Sequence, residues 1–265
     1  MQHPADGDKL YYLPLASGYW KLFGTPLHDF WCCTGSMAES FAKLGDSIYF
    51  HDESGIYVNL FVPSELTWAE RGVRVALDTR FPEEDTLRLT VHGVRPARLA
   101  VHVRVPYWTA GGSASLNGAP LPGSAHPGGY FTLERRWSEG DVLNVRLPMR
   151  LHAAPMPDDP SLQAVMYGPL VLAARLGTAG LTAESLRAGP TRPRKVPEYG
   201  AEPIAVAPIV ARSRDPSSWL RPVAARALEF RSTGQESDLT LVPLNRIFDE
   251  RYAVYFKVVV PSTPS

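Results

Sequence analysis

The sequence is poor in cysteine, and the two cysteines that it has do not indicate a disulfide framework. Only Cys32 and Cys33 occur among the 265 residues. The Cα atoms of adjacent residues lie about 3.8 Å apart across a trans peptide, below the roughly 4.4–6.8 Å that an unstrained disulfide spans. A chain of this length buries roughly three quarters of its unfolded surface and needs no disulfide for stability. The pair is compatible with either redox compartment.

Net charge, an apolar leader and long apolar runs are also missing. The 27 basic and 27 acidic residues balance, so no long-range field draws the chain to nucleic acid or to an anionic membrane. Residues 1–8 lack the apolar core of a signal peptide. The most apolar stretch, Ala164 to Ala174, is too short to span a bilayer. As given, the chain predicts a cytoplasmic protein with neither nucleic acid nor membrane as a partner.

Several catalytic signatures are absent from the sequence. It contains no serine nucleophile elbow, phosphate-binding loop, dinucleotide fingerprint or helix carrying two zinc-binding histidines. Asp249-Glu250-Arg251-Tyr252 reads as a charged turn before a strand rather than as a catalytic group. The adjacent cysteines are therefore the one place where the chain indicates chemistry.

From Ser47 onward, alternating apolar and polar residues predict a series of short strands. Asp52-Glu53-Ser54-Gly55 and Asn117-Gly118 read as hairpin loops, and residues 138–141 as a turn. Strands are expected at residues 48–50, 56–62, 73–78, 86–91, 97–105, 130–135 and 142–147, and in a second β-rich region at 163–167, 170–172, 227–231, 239–242 and 252–260. Short strands with regular turns predict antiparallel β-sandwiches.

The residues before Ser47 have a different character. Residues 1–30 are aromatic and interrupted by proline and glycine, which suggests an internal segment whose packing partner is missing. Ser36 and Glu39 form a capping-box pattern, so a short helix is expected to begin near Ser36 and to stop at Gly45. Its apolar face is expected to consist of Met37, Phe41 and Leu44.

The cysteine pair permits two interpretations. Buried thiols often act only as small hydrophobic side chains. A helix beginning near Ser36 would instead direct its positive end toward Cys32 and Cys33, which favours thiolates. A thiolate is a nucleophile and a soft zinc ligand, but zinc needs three or four protein ligands. The nearest histidine, His28, is not at a clear ligand spacing, so the pair is half of a metal site.

Nearby carboxylates are weaker candidates for a direct role in such a site. They are Asp29, Glu39 and Asp46. Glu39 is explained as a helix cap and Asp46 as a turn residue, so a structural role accounts for both.

The sequence around the pair resembles the end of the catalytic domain in the β-L-arabinofuranosidases of glycoside hydrolase family 127 and their relatives. The residues that carry this resemblance are Phe30-Trp31-Cys32-Cys33-Thr34-Gly35, Glu39 and Lys43-Leu44-Gly45-Asp46-Ser47-Ile48-Tyr49-Phe50. Later stretches fit as well: Val103 to Trp108, Leu116-Asn117-Gly118, Trp137, Gly140-Asp141, Tyr167 to Leu170, Leu241 to Leu244 and Arg251-Tyr252.

This resemblance implies a mainly β chain with two antiparallel β-sandwich domains behind a short remnant of an (α/α)6 helical barrel. The remnant would comprise residues 1–46, the first sandwich 47–153 and the second 154–265. In the family, zinc is held by a Glu and a Cys from earlier in the barrel together with the adjacent cysteines. Cys32 would be a metal ligand and the nucleophile that forms a thioglycosyl intermediate, and Cys33 a second metal ligand.

A further Glu of the barrel acts as general acid/base in the family, and the configuration is retained. Because this chain lacks that Glu and two metal ligands, we expect a C-terminal fragment that is inactive alone and does not bind zinc tightly. The barrel could be encoded separately and pair with this chain on a carbohydrate substrate. An alternative is a non-catalytic module for glycan binding or subunit interaction, using aromatic side chains such as Tyr57, Trp68, Tyr107, Trp108 and Trp137.

Overall fold

The computed structural model describes residues 2–10, 13–25, 32–93, 97–123, 126–188, 202–224 and 226–261, apart from the side chains of Cys33 and Ala97. The chain is mainly β, and it divides into a unit of Ser40–Arg150 and a unit of Met1–Glu39 with Leu151–Ser265. Helices are α1 (Cys32–Lys43) and α2 (Gly45–Ile48). Among the described residues, no helix has the length and apolar character needed to cross a membrane.

The strands of the first unit are β1 (Tyr49–His51), β2 (Gly55–Val58), β3 (Ser64–Trp68), β4 (Val73–Thr79), β5 (Thr86–Gly93), β6 (Ala97–Arg104), β7 (Ser113–Leu116), β8 (Ala119–Pro120), β9 (Tyr130–Trp137) and β10 (Val142–Arg146). The strands of the second unit are β11 (Leu151–Pro155), β12 (Leu162–Tyr167), β13 (Leu170–Arg175), β14 (Ile209–Val210), β15 (Leu220–Pro222), β16 (Phe230–Ser232), β17 (Thr240–Pro243), β18 (Tyr252–Ala253) and β19 (Tyr255–Val259).

The first unit contains two sheets that share one core. Sheet A has the order β1-β2-β6-β9, and sheet B has the order β3-β4-β5-β10-β7-β8. Neighbouring strands are antiparallel except for β2 and β6, which are parallel. Side chains from both sheets form a single buried cluster, and Trp137 within it donates its indole N–H to the Leu99 carbonyl at 3.0 Å. The prediction of antiparallel sheets is therefore confirmed, with one parallel pair that the sequence pattern did not indicate.

Two predicted hairpins of this unit are confirmed. Asn117 and Gly118 have φ of 50° and 85° and join β7 to β8, as a turn with two left-handed residues requires. The Asp52 carboxylate accepts hydrogen bonds from the backbone N–H groups of Ser54 and Gly55 and so organises the β1–β2 loop.

The turn at residues 138–141 has a different role from a hairpin. It connects β9 in sheet A to β10 in sheet B. The buried Asp141 carboxylate accepts the Ser138 backbone N–H and the Asn117 side-chain N–H, both at 2.8 Å. Burial opposes ionisation of Asp141, but these hydrogen bonds and the nearby Arg135 outweigh it and lower its pKa. The turn therefore carries the chain from one layer of the unit to the other.

The second unit is built on sheet C, which has the order β14-β19-β12-β13-β17-β16-β15, with β11 beside β12 and β18 beside β13. Its pairs are antiparallel except for β14 and β19. Alternate residues of the central strands enter two buried clusters: Val165 and Leu172 belong to one, and Ala164 and Ala173 to the other. Since successive residues of a strand point to opposite faces, sheet C has an apolar cluster on both sides.

Residues 13–25 find their packing partner within the same unit. Gly18 N donates to the Tyr252 carbonyl and Tyr252 N donates to the Tyr19 carbonyl, both at 2.9 Å. Trp20, fully buried, donates its indole N–H to the Ser185 carbonyl at 2.8 Å. For residues 13–25, the expectation that residues 1–30 lack their packing partner was wrong, because residues more than a hundred positions away in sequence supply it.

Candidate functional site

The helix that carries the cysteines begins earlier than the sequence predicted. Helix α1 starts at Cys32, so Ser36 and Glu39 lie inside it. The predicted start near Ser36 was wrong, because an N-cap residue must leave the helical region of backbone geometry and Ser36 does not. As a result, the cysteines lie in the first turn of the helix rather than ahead of it.

This position places Cys32 at the N-terminal end of helix α1. Its side chain is exposed to solvent. The first turn of a helix carries N–H groups without intrahelical partners and the positive end of the helix dipole, which together favour an anion. The buried-hydrophobe interpretation is therefore wrong for Cys32. The side chain of Cys33 lies outside the described part of the structure, so its role as a metal ligand stays a prediction.

The predicted apolar face of this helix is largely exposed. Phe41 is 69% accessible and Leu44 is 40% accessible, while Met37 is half-buried. Helix α1 has no acidic residue in its first turn. A carboxylate there would occupy the same N–H groups that could stabilise a thiolate.

The described residues do not by themselves complete a metal site. Within the described ranges, no group of three or more His, Cys, Asp or Glu side chains is placed to hold a metal ion. Glu39 and Asp46 are exposed on the helices, and His28 and Asp29 lie outside the described residues. Cys32 fits zinc as one soft donor, but the remaining donors are not found among the side chains described.

The aromatic residues considered for glycan contact separate into two groups. Trp108 and Trp137 are buried in the core of the first unit. Tyr57 stacks on His102 with ring centroids 4.1 Å apart, and Trp68 is half-buried against His51. Tyr107 is 74% exposed. Two of the five therefore serve the core, and the remaining three reach the surface to different degrees.

A cleft with several polar side chains on the outer face of sheet B was not predicted from the sequence. It has a volume of about 870 Å³, and the residues that line it include Asp78, Arg88, Asn144 and Ser115. These residues are consecutive cross-strand partners on β4, β5, β10 and β7. Polar residues at every second position of these strands were the only signal in the sequence, because the strand order that unites them is a tertiary property.

A partly buried charged cluster near the N-terminus also lay beyond sequence reasoning. Arg187 contacts Asp6, Asp8 and Asp249 at 2.9, 2.7 and 2.8 Å, and His3 lies 2.9 Å from Asp249. Burial opposes ionisation of Asp249, but Arg187 outweighs it and lowers the pKa of that carboxyl. Because its carboxylates face a guanidinium, the cluster binds residues 3–8 to the second unit and has a structural role.

Comparisons with known proteins agree with this architecture. Residues 55–149 match the family described as β-L-arabinofuranosidase, GH127 middle domain. The chain is GH127-like. Residues 152–258 of this GH127-like chain match a domain of unknown function, DUF4986. A search of curated proteins gives no match.

Solved structures similar to the GH127-like chain include a protein named glycoside hydrolase (17% identity, TM-score 0.60), which is matched over 89% of this chain and 42% of its own length. A GH127 β-L-arabinofuranosidase from Geobacillus stearothermophilus (18%, 0.60) is matched over 86% and 37%. The GH127 β-arabinofuranosidase BT3674 (17%, 0.63) is matched over 96% and 42%. At these identities the likeness shows a common fold, and the chain spans less than half the length of each structure.

Proposed function

We propose that this GH127-like chain is the C-terminal part of a retaining glycoside hydrolase in which Cys32 is the nucleophile. The observation that carries the proposal is the exposed Cys32 thiol in the first turn of α1, shortly before the residues that match the GH127 middle domain. The substrate class that we propose is β-L-arabinofuranosides, the class printed in the names of the family and of a similar structure. These names support a hydrolase over a non-catalytic glycan-binding or subunit-interaction module.

In the proposed reaction, the Cys32 sulfur attacks the anomeric carbon of the terminal sugar. The carbon–sulfur bond forms while the glycosidic carbon–oxygen bond breaks, and a carboxylic acid protonates the departing oxygen. The carboxylate formed in this step then accepts a proton from water, which attacks the same carbon and releases the thiolate, so that two inversions retain the configuration. We assign the carboxylic acid to a part of the protein outside this chain, and we therefore propose that the 265 residues are inactive alone.

The proposal includes zinc, with Cys32 and Cys33 as two of its ligands. Bound zinc would hold a coordinating thiol in its thiolate form at neutral pH. The other donors would come from the helical barrel, of which residues 1–46 would be the end, ahead of sandwich domains at 47–153 and 154–265. The chain alone should consequently bind zinc weakly.

The test compares the chain alone with the chain co-expressed with a helical barrel encoded upstream of it. We expect negligible hydrolysis of an aryl β-L-arabinofuranoside by the chain alone and clear turnover by the complex. In the complex, Cys32→Ser should lower turnover by about 10³-fold or more, because it removes a nucleophile. The matched control is Glu39→Gln, on an exposed position of the same helix, which should retain turnover within about twofold.

Zinc content provides a second measurement on the same proteins. Cys33→Ser should lower the zinc content of the complex, while Glu39→Gln should not. Robust turnover by the purified chain, or full turnover by the Cys32→Ser complex, would overturn the proposal.

A further inference from the structure

The cleft on sheet B presents two parallel rows of polar side chains. Residues Asp78, Arg88, Asn144 and Ser115 form the first row across four neighbouring strands. Thr86, Arg146 and Ser113 form part of the second row, two residues along the same strands. Strands are spaced by about 4.8 Å, so the first row extends for about 14 Å. The cleft is therefore long enough for a short chain of linked units rather than a single small molecule.

The side chains of the first row are not committed to the protein. In the part of the chain that the structure describes, none of these four side chains makes a hydrogen bond or an ion pair. The guanidinium groups at the margin of the cleft differ: Arg146 contacts Asp85 at 2.9 Å, and Arg80 contacts Glu84 at 3.2 Å. Arg88 is thus the arginine of this face whose donors remain available.

The chemistry of the first row selects the class of ligand. Guanidinium, carboxylate and amide groups are planar and can each make two hydrogen bonds, which suits neighbouring hydroxyl groups. Asp78 stands directly across from Arg88, so the two opposite charges cancel and an anionic ligand would meet the Asp78 carboxylate. A neutral ligand with many hydroxyl groups satisfies all of these groups at once.

We infer that this cleft binds a neutral oligosaccharide, with Arg88 and Asn144 as its main hydrogen-bonding residues. Cys32 is not one of the residues that line the cleft, and the cleft holds a glycan without acting on it. The identity of the ligand as a glycan, rather than another polyol, rests on the proposed function. A concave site of this size with a few converging polar groups is where ligand binding is expected.

The experiment is calorimetric titration of the 265-residue chain with 1,5-linked arabinotriose and with xylotriose. Trigalacturonic acid tests an anionic trisaccharide, and L-arabinose tests a single sugar unit. We expect saturable binding of at least one neutral trisaccharide, with weaker binding of the monosaccharide and of trigalacturonic acid. Arg88→Ala should weaken the affinity for the trisaccharide by about tenfold or more, because it removes a group that can make two hydrogen bonds to the ligand. Asn144→Ala should weaken this affinity severalfold.

The matched control is Arg98→Ala, since Arg98 is an exposed arginine on β6 of the other sheet. It should bind as the wild type does, and circular dichroism should show that all variants are folded. Absence of saturable binding to both neutral trisaccharides, tighter binding of trigalacturonic acid, or equal affinities of Arg88→Ala and Arg98→Ala would overturn the inference.

Failure of this inference can be distinguished from failure of the proposed function. Cys32→Ser should bind the trisaccharide normally, because it lies outside the cleft. If the complex hydrolyses an arabinofuranoside through Cys32 while the cleft binds no glycan, only the cleft inference fails. If the cleft binds the trisaccharide and Cys32→Ser has no effect on turnover, only the proposed function fails.

Discussion

Replacing Trp20 by alanine should destabilise the unit that contains sheet C, although Trp20 lies near the other end of the chain. The indole is fully buried at 0% accessibility and donates to the Ser185 carbonyl at 2.8 Å. The Arg251 guanidinium lies over the indole ring, 4.8 Å from its centre. The variant therefore removes a large apolar group, a buried hydrogen bond and a contact of a buried arginine in one step.

The magnitude follows from these contacts. Truncation of a buried Trp or Phe to alanine costs about 3–5 kcal/mol through lost burial and the cavity left behind. The Ser185 carbonyl also loses its donor, which costs about 1 kcal/mol or more when the site stays dry. We expect the free energy of unfolding to fall by about 4–6 kcal/mol, a large share of the 5–15 kcal/mol typical of natural domains.

Urea denaturation measures the loss of stability, and hydrogen exchange with mass spectrometry locates it. Amides of residues 151–188 and 202–261 should lose protection in Trp20→Ala, while those of sheets A and B should not. The control is Leu15→Ala in the same segment, where the side chain is 47% exposed and the loss should be below about 0.5 kcal/mol. A change of less than about 1 kcal/mol in Trp20→Ala, or deprotection confined to the other unit, would refute the reasoning.

Two further changes test close packing and buried charge. Gly55→Ala should destabilise the first unit by about 2 kcal/mol or more, because the new Cβ would lie 1.9 Å from the Ala100 carbonyl oxygen across the β2–β6 pair. The control is Gly45→Ala, which has no atom within 4 Å of its Cβ and should be neutral or slightly stabilising in the same urea titration. Equal changes in the free energy of unfolding for the two variants would contradict this prediction. Burial, opposed by Glu250, lowers the pKa of Lys21 from 10.5 to about 8. At pH values between these two pKa values, the unfolded state binds more protons than the folded state. The free energy of unfolding should therefore rise with pH across this window, by up to about 3 kcal/mol. Lys21→Met should lack this rise. Identical pH profiles of unfolding free energy for Lys21→Met and the wild type would contradict the prediction.

Most strands could be predicted because their signal is local. In β4 the residues alternate between buried and exposed, with Val73, Val75 and Leu77 entering the core. Asn117-Gly118 adopts the turn that its residue types favour. Missed strands have weaker signals: β11 has two alanines among its five residues and ends in proline, and β14 contains only two residues and exists through its pairing with β19.

The helix start shows where local signals mislead. Ser36 and Glu39 have the residue types and spacing of a capping box, yet α1 already begins at Cys32. A cap depends on the backbone geometry of the residue as well as on its type, and the preceding residues are helical here. The sequence itself drew attention to the cysteine pair and the family resemblance implied its roles, but the exposure of Cys32 was seen only in the structure.

By itself, the sequence determined the β character of the chain, two of its hairpins, the existence of a helix near the adjacent cysteines and the likeness to glycoside hydrolase family 127. Each of these depends on residues close together in the chain. Tertiary structure alone decided that β2 lies beside β6, that β9 and β10 enter different sheets, and that residues 13–25 pack on sheet C. The row formed by Asp78, Arg88, Asn144 and Ser115 was also decided by tertiary structure, because it exists only where four strands are neighbours. Alternation specifies which face of a strand is buried, whereas the choice of partner depends on burial shared between distant residues.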